Sequence, residues 1–182
     1  MFDQVEAFYR PSRIQEAVRL LHKGGKGCFV AGGTDVAVRQ DRSIRFLVDV
    51  TQLGLSYIRR AAGGITIGAT TTLSEVAESS VLQSLAGGIL ARAACSWGPV
   101  QIRNMATVGG NLANASPSAD LAVALLALDA AAVVAMPRGR RRIPLRDFFR
   151  GPHETALAGG LLVEVAIPLP PRRPPWIAPC SP

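Results

Sequence analysis

The chain has 182 residues, a formal net charge of +7, 48% hydrophobic residues and 18% charged residues. This composition excludes a disordered chain, and the aromatic content of 5% predicts a mostly aliphatic core. No uncharged apolar run reaches the roughly 20 residues of a membrane helix, since Asp129 interrupts the best candidate, and with no apolar signal segment at the N-terminus we expect a cytoplasmic protein.

The first fifty residues predict a small lobe of the β-α-β type. Ser12 and Gln15 have the spacing of a capping box, and apolar residues then recur at helical intervals until Gly24-Gly25. Residues 28–31 read as a short buried strand that ends in a double glycine, and residues 46–50 read as the next strand.

The pattern changes after about residue 53, where a second, larger lobe is predicted. Residues 57–61 and 65–69 flank Gly63-Gly64, which is a hairpin signal. Further elements follow in chain order: a helix capped by Thr72 and Glu75, helices over 81–94 and 118–128, a second hairpin over 133–145, and a last strand over 161–167. We therefore predict lobes over 1–53 and 54–169 and an unstructured tail rich in Pro and Arg over 170–182.

Two double-glycine segments are the strongest candidates for a binding site. They are Ala31-Gly32-Gly33-Thr34-Asp35 and Thr107-Val108-Gly109-Gly110-Asn111, and each follows a strand-like apolar stretch. Adjacent glycines let backbone N–H groups converge and let an anion approach without a Cβ in the way. One such segment is more often an ordinary turn, but two with Thr or Asn neighbours indicate a diphosphate held from two sides. Residues 66–71 add hydroxyl groups beside a further glycine.

Metal and nucleophile chemistry have little support in the sequence. Cys28, Cys95 and Cys180 form no C-x-x-C pair, and with His22 and His153 they cannot by themselves hold zinc or an iron–sulfur cluster. Cys95 is predicted to be buried on an apolar helix face, and both histidines are predicted to lie at the surface. No proton-transfer pair is evident, so we expect no catalytic residue in this chain.

Positive charge is concentrated late in the chain. Residues 138–173 hold eight arginines against Asp147, Glu154 and Glu164, which gives +5 of the net charge. The cluster over 138–142 has no interleaved aromatic residues, which argues against nucleic-acid binding. A solvated hairpin or an acidic protein partner is the favoured interpretation.

Residues 101–120, QIRNMATVGGNLANASPSAD, closely resemble the central motif of the FAD-binding subunits of molybdenum hydroxylases. That family includes xanthine dehydrogenase, aerobic carbon monoxide dehydrogenase and 4-hydroxybenzoyl-CoA reductase. The resemblance extends over roughly residues 2–170. Other matching segments occur in the same order: Arg10-Pro11-Ser12, 31–35, 66–69, Asp147-Phe148-Phe149 with Gly151-Pro152, and 161–168.

The resemblance implies an α+β, two-lobed FAD-binding fold of the vanillyl-alcohol-oxidase (PCMH) type, with a small β-α-β lobe and a larger lobe of mixed or antiparallel sheet with helices. Residues 29–36 and 107–111 would hold the diphosphate, Asp120 would lie near a sugar, and Trp97 and Leu162 would approach the isoalloxazine ring. The implied cofactor-binding residues are Phe29, Val30, Ala31, Gly32, Gly33, Thr34, Asp35, Val36, Trp97, Thr107, Val108, Gly109, Gly110, Asn111, Asp120 and Leu162. Taken alone, Asp35 and Asp120 also fit first-turn carboxylates favoured by a helix dipole, and Trp97 fits a core residue.

The function implied is that of an FAD-binding electron-transfer subunit of a molybdopterin-dependent hydroxylase or dehydrogenase. Electrons would come from [2Fe–2S] clusters on a small partner subunit, with molybdopterin on a large one, and pass to NAD, oxygen or a quinone-linked carrier. Two alternatives stay open: a truncated flavoprotein or partner-binding module without electron transfer, and a standalone reductase on the same fold. Because residues 170–182 do not resemble the continuation into a C-terminal domain, we expect weaker FAD binding and more self-association than in a longer form.

Overall fold

The structure is a computed structural model that describes residues 4–24, 26–39 and 41–169. The tail predicted over 170–182, including Cys180, therefore lies outside the described residues. Two main sheets organise the chain, with helices packed against them, so the α+β class is confirmed. Across the described residues, no helix has the length and apolar character needed to cross a membrane.

The first sheet, here called the small sheet, is parallel and is built from the N-terminal part of the chain. Its strands lie in the order β1-β3-β2, and both strand pairs are parallel. The elements are β1 (Ala7–Tyr9), α1 (Ile14–Leu21), β2 (Gly27–Val30), α2 (Thr34–Arg39) and β3 (Phe46–Asp49). The predicted helix and two strands are confirmed, whereas β1 and α2 were not predicted.

The prediction of a capping box at the start of α1 is wrong. The helix begins at Ile14 with Arg13 as its N-cap residue, and no side chain caps it. The backbone N–H of Ser12 instead donates to the Glu16 carboxylate at 3.3 Å. The acidic side chain in the first turn thus folds back over the helix start in place of the expected hydroxyl.

The second sheet, the large sheet, is antiparallel with strand order β4-β5-β10-β6-β7. The strands from this half of the chain are β4 (Ile58–Ala61), β5 (Gly64–Gly68), β6 (Ala131–Ala135), β7 (Arg140–Pro144), β8 (Phe149–Gly151), β9 (Glu154–Thr155) and β10 (Leu161–Pro168). Strands β8 and β9 form a separate small hairpin. Both predicted hairpins and the last predicted strand are confirmed, and β10 occupies the centre of the large sheet.

Helices fill the stretch between β5 and β6 and the turn after β7. They are α3 (Leu73–Glu78), α4 (Ser80–Gln83), α5 (Ile89–Cys95), α6 (Val100–Arg103), α7 (Val108–Asn114), α8 (Asp120–Ala127) and α9 (Leu145–Phe148). The capping box of α3 is confirmed, with the Glu75 N–H donating to the Thr72 hydroxyl and the Thr72 N–H to the Glu75 carboxylate. The helix predicted from residue 118 begins at Asp120, with Ala119 as its N-cap.

The single helix predicted over 81–94 is wrong. Helix α4 ends at Gln83, and Leu85 is already extended. The three residues after Leu85 have positive φ values of 44°, 66° and 75°, and a short 3₁₀ turn separates α4 from α5. Which residues of α5 face the core therefore does not follow from the apolar spacing before this break. Cys95 was predicted to be buried, but it is exposed.

Two apolar clusters stabilise this arrangement. The larger lies between the helices and one face of the large sheet, around Leu73, Leu90 and Leu125. In the smaller, Val18 of α1 packs with β3 and with Leu161 and Val163 of β10, so that α1 is enclosed between the two sheets. This packing fixes the loop after β2 beside the segment that joins α6 to α7.

Candidate functional site

A cavity of about 260 Å³ lies where the loop after β2 meets the segment around α7. Its lining residues come from both parts of the chain: Cys28, Phe29, Ala31, Gly32, Gly33, Thr34, Asp35, Val36, Arg39, Asp41, Ile44, Trp97, Ala106, Thr107, Gly110, Asn111, Ala113 and Asn114. Residues of both double-glycine segments therefore line one cavity.

The first wall of the cavity is the turn from β2 into α2. Gly33 has a φ of +70°, a conformation that favours glycine. Gly32 is required by close approach, because a Cβ there would lie 1.7 Å from the carbonyl oxygen of Met105. The N–H groups of residues 32–36 donate to no acceptor within the described part of the chain. Five consecutive unpaired donors on one wall form a surface suited to an anion.

The second wall is α7, and its backbone differs from the prediction. The glycine pair does not follow a strand but occupies the first turn of α7, where Thr107 is the N-cap. Its hydroxyl accepts from the Gly110 N–H at 3.1 Å. The neighbouring N–H groups are also used: Val108 donates to Thr71, Gly109 to Ala69, and Asn111 to Thr107. This wall therefore offers side chains rather than free backbone donors.

The two glycines of α7 have different roles. A Cβ at Gly109 would lie 2.7 Å from the carbonyl oxygen of Ala69, so this glycine permits the helix to pack on the end of β5. Gly110 is exposed on the cavity wall, and a Cβ there would meet the Thr107 hydroxyl at 3.1 Å. Only the second of the pair leaves space for a ligand.

Asn111 provides a polar group without a partner. Its side chain is buried at 7% exposure, and its Oδ1 has no hydrogen-bond partner among the described residues. Leaving such an acceptor unpaired costs about 1–3 kcal/mol. Asn111 also lines the cavity, so its side-chain amide is a candidate partner for a hydroxyl of a bound molecule.

The charged residues that line the cavity are two carboxylates, Asp35 and Asp41, and one guanidinium, Arg39. Hydrogen bonds from the side chain and backbone of Ser43, with the ammonium of Lys26 at 3.1 Å, lower the pKa of Asp41 to about 2. Burial raises the pKa of the Cys28 thiol, which donates to the Phe29 carbonyl. Asp41 is thus paired outside the cavity, whereas Asp35 makes no ion pair within the described residues.

The hairpin of β8 and β9 contacts two residues that line the cavity, Arg39 and Asn114, through His153, which is exposed as predicted. Its N–H donates to the Ala115 carbonyl at 2.9 Å, directly after α7. Its Nδ1 contacts both the Arg39 guanidinium and, at 2.7 Å, the carbonyl oxygen of Asn114. Arg39 can only donate and the carbonyl can only accept, so Nδ1 serves one of them at a time.

Eleven of the predicted site residues line the cavity, and five do not. Val30 lies in β2, and Val108 and Gly109 are buried residues of α7. Asp120 is an exposed first residue of α8, and Leu162 is buried in β10 as part of the larger apolar cluster. Residues 66–71 also lie away from the cavity, and within them Thr71 is buried with its hydroxyl bonded to the backbone of Tyr57.

Sequence reasoning missed seven lining residues. They are Cys28, Arg39, Asp41, Ile44, Ala106, Ala113 and Asn114. Ala113 and Asn114 lie three and four residues after Gly110, so a helix assignment at Thr107 would have placed them on the same face. Arg39 lies four residues after Asp35 in α2, and the same argument would have found it.

A family model described as the FAD binding domain in molybdopterin dehydrogenase matches residues 2–170. The chain belongs to this family. It is 37% identical over 163 residues to a xanthine dehydrogenase FAD-binding subunit from Escherichia coli O157:H7, covering 86% of this chain and 55% of that relative. It is 34% identical over 170 residues to the carbon monoxide dehydrogenase medium chain of Afipia carboxidovorans, covering 90% and 59%.

A solved structure supports the assignment of the chain to this family of FAD binding domains in molybdopterin dehydrogenase. A chain of carbon monoxide dehydrogenase from Hydrogenophaga pseudoflava superposes with a TM-score of 0.87 at 29% identity, over 94% of this chain and 62% of that one. The predicted family and its two-lobed PCMH-type fold are confirmed. This FAD-binding domain thus spans about three fifths of the length of the relatives it matches.

Proposed function

We propose that this chain binds FAD in the cavity and serves as the FAD-binding electron-transfer part of a molybdopterin-dependent dehydrogenase. The observation that carries the proposal is the row of unpaired N–H groups at residues 32–36, which faces the α7 wall across the cavity. In this proposal the first lobe comprises residues 1–53 and the second residues 54–169, with the cofactor between them.

The chemistry of the walls fits parts of FAD. Free backbone donors suit a diphosphate, and the unpaired Oδ1 of Asn111 suits a ribose or ribityl hydroxyl. The cavity of about 260 Å³ is below the roughly 300–1,000 Å³ of pockets that enclose a whole ligand, so we assign to it the diphosphate and the adjoining sugar. Trp97, half-buried at the cavity edge, is the candidate for contact with a ring.

The redox chemistry would be supplied by the flavin, and the residues of this chain would bind and orient it. The names of the relatives, a xanthine dehydrogenase FAD-binding subunit and a carbon monoxide dehydrogenase medium chain, support a subunit role. The proposed partners are a small subunit with [2Fe–2S] clusters and a large subunit with molybdopterin. NAD, oxygen or a quinone-linked carrier would accept the electrons.

Two measurements test this proposal. The flavin released by denaturing the purified chain should chromatograph as FAD, and recovery of FMN or of a nicotinamide cofactor alone would overturn the cofactor assignment. Co-expression with iron–sulfur and molybdopterin subunits should give a complex in which substrate reduces the flavin. A flavin that stays oxidised in the assembled complex would instead favour a partner-binding module without electron transfer.

A further inference from the structure

We propose that Arg39 binds the phosphate charge of FAD and that His153 is the residue that positions it. This inference rests on the proposed function and deepens it. Neither residue belongs to the two double-glycine segments. Arg39 is the last residue of α2, and His153 lies in the turn between β8 and β9.

The charges that line the cavity make Arg39 the side chain suited to a phosphate. Among the described residues that line the cavity, Arg39 is the one cation, and Asp35 and Asp41 are the carboxylates. A diphosphate brings further negative charge, and backbone N–H dipoles supply only partial charges. A guanidinium can donate two parallel hydrogen bonds to phosphate oxygens, so Arg39 is the group suited to balance the ligand.

The contact between Arg39 and His153, in the turn between β8 and β9, positions the guanidinium. The backbone N–H of His153 donates to the Ala115 carbonyl, so the turn between β8 and β9 is anchored at the end of α7. When Nδ1 accepts from Arg39, the guanidinium is held at the cavity edge with its other N–H groups free for phosphate. Holding a long exposed side chain before the ligand arrives lowers the entropy lost on binding. Arg39 thereby links the two walls of the cavity.

The test compares FAD affinity and its salt dependence in wild type, Arg39→Gln and the control Arg42→Gln. Arg42 is also exposed but does not line the cavity. Loss of one charge-assisted contact should weaken FAD binding about tenfold and flatten its dependence on salt. Arg42→Gln should bind as wild type does. Unchanged affinity in Arg39→Gln overturns the inference, whereas a wild type that binds no FAD overturns the proposed function as well.

A double-mutant cycle tests the positioning role. His153 has a φ of 62°, so His153→Asn removes the imidazole with a residue that tolerates this backbone conformation. The single variant should bind FAD a few-fold more weakly, and the double variant with Arg39→Gln should bind like Arg39→Gln alone. Fully additive losses would show that His153 does not act through Arg39. Wild-type affinity in His153→Asn would overturn the positioning role of His153.

Discussion

Gly32 packs against the backbone of Met105, in the segment that joins α6 to α7, and this contact leaves no room for a side chain. Gly32→Ala would place a Cβ 1.7 Å from the Met105 carbonyl oxygen and 2.4 Å from its carbon. An ordinary contact begins at 3.4 Å, so the two backbone segments must separate by about 1.7 Å. Neither neighbour is the end of a flexible side chain, and the separation therefore has to come from the backbone.

We expect Gly32→Ala to lower the free energy of unfolding by about 2 kcal/mol or more, at the upper end of overpacking effects. We expect FAD affinity to fall at least tenfold, because the donors of residues 32–36 move away from α7. Urea unfolding and fluorescence titration with FAD measure the two effects.

Gly63→Ala is the matched control for this substitution. Gly63 lies in the turn between β4 and β5, and no atom lies within 4 Å of its added Cβ. This variant should stay within about 0.5 kcal/mol of wild type and bind FAD normally. Wild-type stability and affinity in Gly32→Ala would refute the idea that this contact holds the walls together.

Three further variants test other parts of the structure. Gly110→Leu should abolish most FAD binding but change the melting temperature little, since Gly110 is exposed on the cavity wall; normal affinity would place the ligand elsewhere. Glu75→Ala should cost about 1 kcal/mol in urea unfolding by removing the capping box. Burial raises the pKa of Glu75, but hydrogen bonds from Thr72 and Ser56 lower it overall, so this difference should be present above pH 4.5 and vanish as the pH falls through the folded-state pKa. Burial and the 2.6 Å hydrogen bond to Glu164 raise the pKa of Tyr57 to about 12. In Glu164→Gln, ultraviolet titration should show a lower midpoint for Tyr57 ionisation, and an unchanged midpoint contradicts the role of Glu164. The contribution of Tyr57 to the free energy of unfolding should be complete below pH 10 and should disappear as the pH rises towards 12.

The parts of the fold that were predicted correctly depend on local signals. The hairpin at Gly63-Gly64 and the capping box at Thr72 are specified by residues within one turn of each other. The prediction of one helix over 81–94 is wrong because apolar spacing continues across residues 84–88, whereas the backbone there is extended at Leu85 and has positive φ at residues 86–88. Once the phase is reset, Cys95 falls on the outer side of α5.

The candidate site also has parts that local sequence signals predict and parts that they do not. The turn at Gly32 and Gly33 could be predicted because glycine pairs directly report a close approach or a positive φ. Arg39 follows from its four-residue spacing to Asp35 only once α2 is recognised as a helix. The position of Asp41 depends on how the chain returns from α2 to β3, which no local pattern specifies. At Thr107 the sequence did hold a helix N-cap signal, and interpreting it as a loop concealed the fact that its N–H groups are internally bonded.

An experimental structure of the chain with FAD bound tests the proposed site most directly. The diphosphate oxygens should accept hydrogen bonds from the backbone N–H groups of residues 32–36, and a sugar hydroxyl should lie within reach of the Asn111 side chain. A flavin nucleotide bound away from this cavity, or a diphosphate with no contact to residues 32–36, would contradict the assignment of this cavity to FAD.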